Sequence, residues 1–227
     1  MADLSITNEG LWQEAFPLVL PSAAATQSLA ALLGQTATRL LTSPGQWPAS
    51  PRAVRADSTA GLVILLGGSL GSGKTTFVQG LGQGLGIPEP IDSPTFVLVQ
   101  EYRTGRIPLF HCDLYRLGPA STACASEVEL SALEELGLEE LWGQVGITAI
   151  EWPDYLPYLP PTYLWLQLES HPQSEGSRLL YVKGKGFETA QLWQQVLSQL
   201  PRQDTEGREA VTYSEQSEIL KNPLWGT

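Results

Sequence analysis

The chain has little of several residue types, and each scarcity excludes a class of protein. Its 227 residues include two cysteines, Cys112 and Cys124, which have neither disulfide-framework nor zinc-site spacing and so fit a reducing compartment. Lys and Arg number 13 against 24 Asp and Glu, and the net charge of -11 argues against a protein that binds nucleic acid by itself. No apolar run approaches the ~20 residues of a membrane span, and the N-terminus lacks the pattern of a signal peptide. We therefore expect a cytoplasmic protein without membrane contact.

Hydrophobic residues are plentiful enough to predict one sizeable core. They make up 42% of the chain and include seven Trp, so the fold needs no disulfide or metal to stabilise it. Helical periodicity predicts a helix from Ser22, as N-cap, to about Leu41. Further predicted helices are 74–85, 126–136 and 187–200, and predicted strands are 62–66, 96–102, 107–111 (a hairpin with the preceding strand), 145–150, 163–168 and 178–182. Strands interleave with helices, which predicts an α/β protein with a mixed, largely parallel sheet.

The most informative stretch is GGSLGSGKTTF, from Gly67 to Phe77, directly after the apolar run LVILL. Gly68, four further residues and then Gly73-Lys74-Thr75 satisfy the phosphate-loop pattern GxxxxGK[ST]. Glycines let successive backbone N–H groups converge on phosphates, and the N-terminus of the following helix adds a positive field. The pattern predicts that Lys74 binds the β- and γ-phosphates and that the Thr75 hydroxyl ligates Mg²⁺. Other predicted nucleotide contacts in the loop are Gly71, Ser72, Gly73 and Thr76.

This motif defines the predicted class and its boundaries. We predict a P-loop NTPase-like, three-layer α/β/α fold that binds a nucleotide and Mg²⁺. The predicted nucleotide-binding domain covers residues 19–200 and carries a loop insertion at about 43–60. Residues 1–18 form a predicted N-terminal extension, and residues 201–227 a polar tail that we expect to be mobile.

A phosphate loop requires an acidic partner for the metal or the attacking water, usually at the end of a neighbouring strand. Two residues are candidates. Glu151 follows the apolar run ITAI, and Asp113 stands two residues beyond PLFH. Each could instead be an ordinary solvated carboxylate at a strand end. We predict metal contact for Glu151 and a catalytic role for both residues.

Five segments together resemble one protein family. They are GGSLGSGKTTF, SPTFVLVQEY, HCDLYRL, EELGLEEL and IEWPDYL. In order and spacing they are similar to the TsaE/YjeE family, the small ATPase that assists bacterial synthesis of threonylcarbamoyladenosine at position 37 of tRNAs. The resemblance implies an ATPase that acts in complex with the threonylcarbamoyl transferase subunit and its paralogous partner protein, and that meets tRNA only through this complex.

The resemblance also implies roles for residues outside the loop. Thr26 aligns with a threonine near the nucleotide, Thr95 in the SPT segment faces the γ-phosphate, and Trp152 flanks the nucleotide. Ser93 and Pro94 belong to the same segment facing the γ-phosphate. The remaining matched residues near the active site, without assigned roles, are His111, Tyr115 and Arg116. One position departs from the family pattern, since Ser69 stands where the family usually has Asp.

Two other functions are compatible with the residues alone. A small-molecule kinase shares the loop and the fold, but it needs a lid bearing several arginines, and no such lid is evident between the loop and Arg178. A nucleotide-gated binding module would use the bound state, and not hydrolysis, as its signal. A common GTP switch is disfavoured because the chain has no Asn-Lys-x-Asp guanine motif.

Overall fold

The computed structural model of the protein describes residues 5–6, 11–14, 16–42, 61–118 and 137–200. The predicted loop insertion at 43–60, the predicted helix at 126–136 and the predicted tail at 201–227 lie outside these residues. None of the described helices is long and apolar enough to cross a membrane.

The described residues form one nine-stranded mixed sheet with helices. The strands are β1 (Ser5–Ile6), β2 (Leu11–Gln13), β3 (Leu18–Leu20), β4 (Leu62–Gly67), β5 (Val99–Tyr102), β6 (Leu109–Asp113), β7 (Ile147–Glu151), β8 (Tyr163–Ser170) and β9 (Arg178–Lys185). The helices are α1 (Ala23–Thr42), α2 (Lys74–Leu85), α3 (Leu138–Trp142) and α4 (Phe187–Gln199). The strand order is β1-β2-β9-β8-β4-β7-β6-β5, and β3 also pairs with β9. The predicted P-loop NTPase-like α/β fold is confirmed.

Parallel pairing is confined to the four central strands. β4 lies parallel to both β7 and β8, and β6 lies parallel to β7, whereas the strands on either side pair antiparallel. Every residue of β4, β6 and β7 is buried, which explains why their sequences are continuous apolar runs and do not alternate. The carboxyl ends of these strands therefore meet at one edge of the sheet, where Asp113 and Glu151 end β6 and β7 and the glycine-rich loop follows β4.

Helices α1 and α2 pack closely against each other on one face of the sheet. A Cβ at Gly80 would lie 2.4 Å from the carbonyl oxygen of Gln27, and one at Gly84 would lie 2.2 Å from that of Ala31. At these two positions the close neighbour of α2 is therefore the backbone of α1. Glycine weakens a helix by about 1 kcal/mol relative to Ala, and the packing of the two helices requires it here.

Several predicted boundaries are confirmed, but both strands of the predicted hairpin are wrong in part, since the strand predicted at 107–111 runs from Leu109 to Asp113. Helix α2 begins and ends as predicted, and the Ser22 side chain accepts a hydrogen bond from Ala25 N–H at 3.2 Å, as an N-cap should. The strand predicted from residue 96 begins only at Val99. Residues 96–98 form a turn in which Leu98 has φ 65° and its N–H donates to the carbonyl of Pro94 at 2.7 Å, a conformation that no strand residue adopts.

The N-terminal residues contribute to the same sheet. Within the predicted extension, Leu11–Gln13 pair antiparallel with Lys183–Lys185 of β9. The side chain of Glu14 accepts a hydrogen bond from the Trp193 indole at 2.8 Å, and burial raises the pKa of this carboxyl. The predicted domain boundaries stay predictions, but the segment before residue 19 contacts both β9 and α4.

Candidate nucleotide-binding site

The glycine-rich loop joins the end of β4 to the start of α2. Its glycines adopt backbone conformations that other residues rarely do, with φ 131° at Gly68, 75° at Gly71 and 103° at Gly73. A Cβ added at Gly71 or Gly73 would meet no atom within 4 Å, so the inner side of the loop is open. Helix α2 has no side-chain N-cap, and its first N–H groups therefore remain available to a ligand.

Lys74, the first residue of α2, folds back over the loop. Its Nζ donates to the carbonyl oxygens of Gly68 and Ser69, both at 2.9 Å, and lies 3.7 Å from the centre of the Trp152 ring. Burial lowers the pKa of Lys74, while the nearby carboxylates of Glu151 and Asp113 act in the opposite direction. Among the described residues, the loop thus holds a cation whose hydrogen bonds go to neutral carbonyl oxygens.

Glu151 and Asp113 close the site from the sheet. Glu151 ends β7, Asp113 ends β6, and the two residues are register partners on these adjacent parallel strands. Both side chains are buried. Glu151 Oε1 accepts a hydrogen bond from Thr75 Oγ1 at 2.8 Å and another from His111 Nε2 at 2.9 Å. Toward an ionised Glu151, which can only accept hydrogen bonds, the imidazole makes this contact as the donor through Nε2.

The side chain of Asp113 organises a second set of hydroxyl groups. Its Oδ2 accepts from Ser93 Oγ at 2.6 Å and also from Thr95 Oγ1, and its Oδ1 accepts from the backbone N–H of Tyr115 at 2.9 Å. These bonds fix the SPT turn beside the loop. Sequence reasoning alone could also read SPT as an ordinary turn, and the geometry shows that this turn lies within reach of the loop.

Trp152 forms an aromatic wall next to the lysine. It has φ 61°, an unusual conformation for a bulky residue, and its ring centre lies 5.0 Å from that of Tyr115 and 6.2 Å from that of Tyr155. The indole therefore packs against tyrosines while one face meets the Lys74 ammonium. Trp152 thus packs within an aromatic cluster and also lies beside the lysine that is predicted to bind the phosphates.

The loop, the two carboxylates and the aromatic wall line an open cavity of about 330 Å³. It is lined by Leu70, Gly71, Gly73, Lys74, Thr75, Thr76, Ser93, Thr95, Asp113, Tyr115, Glu151 and Trp152. Two predicted nucleotide contacts lie outside this lining. Thr26 is buried in α1, with its hydroxyl donating to Ser22 O at 3.3 Å, and Ser72 is buried with no partner for its Oγ among the described residues.

The residues present fit a phosphate chain and a divalent cation. The open inner side of the loop and the uncapped N-terminus of α2 offer N–H donors to an anion. Two buried carboxylates outnumber the one lysine, so an anionic ligand alone would face net repulsion from the side chains. Carboxylate and hydroxyl oxygens are the ligands that Mg²⁺ prefers, and Glu151 and Thr75 lie in hydrogen-bond contact. The cavity therefore suits an anion together with a hard cation.

Sequence reasoning missed two features of the site. Leu70, at the tip of the loop, lines the cavity although it is largely exposed. Arg178, the first residue of β9, donates to the carbonyl oxygens of the loop. No local pattern could have indicated Arg178, because more than one hundred residues separate it from the loop and only the sheet brings the two together.

A glycine-rich loop between a central parallel strand and a helix, in this mixed sheet, defines a P-loop NTPase-like protein. A model of the family described as "Threonylcarbamoyl adenosine biosynthesis protein TsaE" matches residues 20–179. The chain therefore belongs to the TsaE family.

Curated relatives agree with this family. The chain is 52% identical over 124 residues to the tRNA threonylcarbamoyladenosine biosynthesis protein TsaE of Nostoc, covering 53% of this chain and 68% of that protein. The Synechocystis protein of the same name is 51% identical over 44% of this chain and 59% of its own length, and that of Bacillus subtilis is 37% identical over 48% and 62%. The crystal structure of Bacillus subtilis YdiB superposes with a TM-score of 0.57 at 22% identity, covering 80% of this chain and 93% of that one, which supports the fold.

Proposed function

We propose that this chain is the magnesium-dependent ATPase subunit of a tRNA threonylcarbamoyladenosine machinery. It would act with a threonylcarbamoyl transferase subunit and the paralogous partner of that subunit, and it would meet tRNA only through the complex. The chain covers about three fifths to two thirds of the length of the relatives named above. The names of these relatives support the pathway assignment, and the geometry of the site supports the proposed ATPase activity.

One observation supports the ATPase part above all others. A lysine, a hydroxyl group and two carboxylates from three different elements line one cavity at the carboxyl edge of the parallel strands. In P-loop proteins the equivalent groups compensate phosphate charge, hold the metal ion and orient the nucleophile. A protein that merely carried a glycine-rich turn would have no reason to bury Glu151 and Asp113 opposite that turn.

Each side chain of the site has its own role in this proposal. Lys74 would compensate the charge of the β- and γ-phosphates, and the N–H groups of Gly73 and the first turn of α2 would bind phosphate oxygens. Thr75 and Glu151 would hold Mg²⁺. When bound, this ion would neutralise charge on the phosphates. Asp113 is held by three hydrogen bonds and would orient the attacking water or accept its proton.

Among the described residues, one cationic side chain, that of Lys74, lines the cavity. Phosphoryl transfer is accelerated strongly where a further cation stabilises the transition state, so we expect slow turnover by the isolated chain. Assembly with partner proteins is expected to raise the rate.

The decisive experiment is an ATPase assay on the purified protein. The rate is measured for the chain alone and again with the two partner proteins and unmodified tRNA, while tRNA modification is followed in parallel. Stimulation on assembly, together with modified tRNA, would support the proposal. Nucleotide binding without stimulation and without an effect on tRNA would overturn the pathway assignment. Release of ADP that depends on a small nucleoside or sugar acceptor would favour a kinase instead.

A further inference from the structure

Arg178 contacts the phosphate loop through its guanidinium group, although it lies on a different element. Its Nε donates to the carbonyl oxygen of Ser72 at 2.9 Å, and its Nη2 donates to that of Gly71 at 3.2 Å. The remaining Nη1 donates to its own neighbour, the carbonyl oxygen of Ser177, at 2.9 Å. One planar group thus holds two successive carbonyl oxygens of the loop and ties them to the start of β9.

These contacts determine where the loop's N–H groups point. In a trans peptide the C=O and the following N–H point in opposite directions. Because Arg178 draws the Gly71 and Ser72 carbonyls toward itself, the N–H groups of Ser72 and Gly73 face away from it. The first of them donates to the carbonyl of Ser69 at 3.1 Å and closes the turn. Among the described residues the second has no backbone acceptor, and Gly73 lines the cavity.

The charge of Arg178 is also suited to this position. Within the described ranges the ion pairs join Arg103 to Glu101 and His111 to Glu151, so no described carboxylate neutralises Arg178. Arg178 is partly buried, and a guanidinium is a planar cationic group that can bind several oxygens at once. A buried neutral donor could hold the same carbonyls, but a cation there adds a positive field behind the loop of an acidic protein.

We propose that Arg178 is a positioning residue for the phosphate loop. It holds the peptide groups of residues 71–73 so that the Gly73 N–H faces the bound phosphates, and it offsets part of their charge from behind the loop. It does not line the cavity among the described residues, so it acts through the backbone and not by direct contact with the ligand. The inference rests on the proposed ATP-binding function.

The test compares Arg178→Ala and Arg178→Lys with the wild type. We expect Arg178→Ala to raise the KM for ATP and the inhibition constant of inorganic pyrophosphate by about tenfold each, as for loss of a charged hydrogen-bonding group, with kcat nearly unchanged. Arg178→Lys should recover part of this loss, because one ammonium keeps the charge but reaches fewer carbonyls. The chain offers a matched control in Arg39, whose Nη2 also donates to two neutral oxygens, those of Thr36 and Gln199, away from the loop. Arg39→Ala should leave both constants unchanged.

The outcomes separate this inference from the proposed function. If the wild type binds ATP and pyrophosphate and Arg178→Ala binds them equally well, the positioning role is overturned. A loss of affinity for ATP without a matching loss of affinity for pyrophosphate would also overturn the positioning role, because the effect would then not lie in the phosphate loop. A wild type that binds neither ligand would overturn the proposed function and the inference with it. Melting temperatures show whether Arg178→Ala folds. If it does not, the constants of Arg178→Lys are compared with those of the wild type instead.

Discussion

The cavity has two halves that are built in different ways. The loop half is one continuous stretch, residues 68–76, whose contacts to a ligand would come mainly from backbone N–H groups and Lys74. The acidic half combines Asp113 from β6, Glu151 from β7 and the hydroxyls of Ser93 and Thr95. The loop half therefore depends on local backbone conformation, whereas the acidic half depends on the register between strands that are far apart in sequence. The comparison separates binding of phosphate charge from control of metal and water, and substitutions in each half should have different effects.

Removing the cation of the loop half should have the largest effect. We expect Lys74→Ala to reduce ATP hydrolysis by at least about 100-fold, the loss typical of a preorganised electrostatic group. Steady-state assays measure the ATPase rate, and melting temperatures show whether the variant is folded. A matched control is Lys183→Ala, because Lys183 also lies over a tryptophan ring, that of Trp165, at 4.6 Å, and burial also lowers its pKa. Full activity in Lys74→Ala would show that the site is assigned wrongly.

Glu151→Gln is the corresponding test of the acidic half. The amide keeps the size of the side chain and can still accept from Thr75 and His111, but it loses the charge that would hold Mg²⁺. We expect kcat to fall by about 100-fold, in the range for a group that handles a metal or a proton, and the concentration of Mg²⁺ needed for activity to rise. Titrations with Mg²⁺ measure both. Glu101→Gln, in an exposed ion pair on β5, is the control, and an equal loss in both variants would contradict the assignment.

Asp113→Asn should have a smaller effect than Glu151→Gln. Its hydrogen bonds to the Ser93 and Thr95 hydroxyls can persist in part, because a hydroxyl group can donate or accept. Only the charge and the strict acceptor character are lost. A loss of about 1.5 kcal/mol, as for weakened hydrogen bonds to a charged group, corresponds to a reduction in kcat of about tenfold. Single-turnover assays measure this reduction. The control is Asp154→Asn, a substitution at an exposed residue in the turn after β7. If Asp113→Asn were the more damaging of the two carboxylate variants, Asp113 and not Glu151 would be the principal acid of the site.

The smallest effect should come from Ser69→Asp, which restores the residue that the family usually has. The Ser69 side chain is exposed, and the loop uses its carbonyl oxygen, which accepts from Lys74 Nζ and from Ser72 N–H. An exposed charge contributes at most ~1 kcal/mol, so the ATPase rate should change by less than about fivefold. A larger change, in either direction, would show that this side chain enters the chemistry.

Much of the fold was predictable because its signals are local. The continuous apolar run of β4, the glycines and the Lys-Thr pair at the start of α2 each specify a conformation within a few residues. The start of β5 was not predictable in this way. The sequence FVLVQEY has high strand propensity throughout, but the turn at 94–98 and the pairing of β5 with β6 leave residues 96–98 outside the strand.

The sequence by itself determined the phosphate loop, the buried strand before it and the helix after it, because these depend on glycine conformations and on hydrophobic periodicity along the chain. Tertiary structure decided which distant residues face that loop. The parallel pairing of β6 with β7 places Asp113 beside Glu151, and the position of β9 brings Arg178 behind residues 71 and 72. Such contacts depend on strand order and register, which are set by packing of the whole core and leave no signal in any one segment.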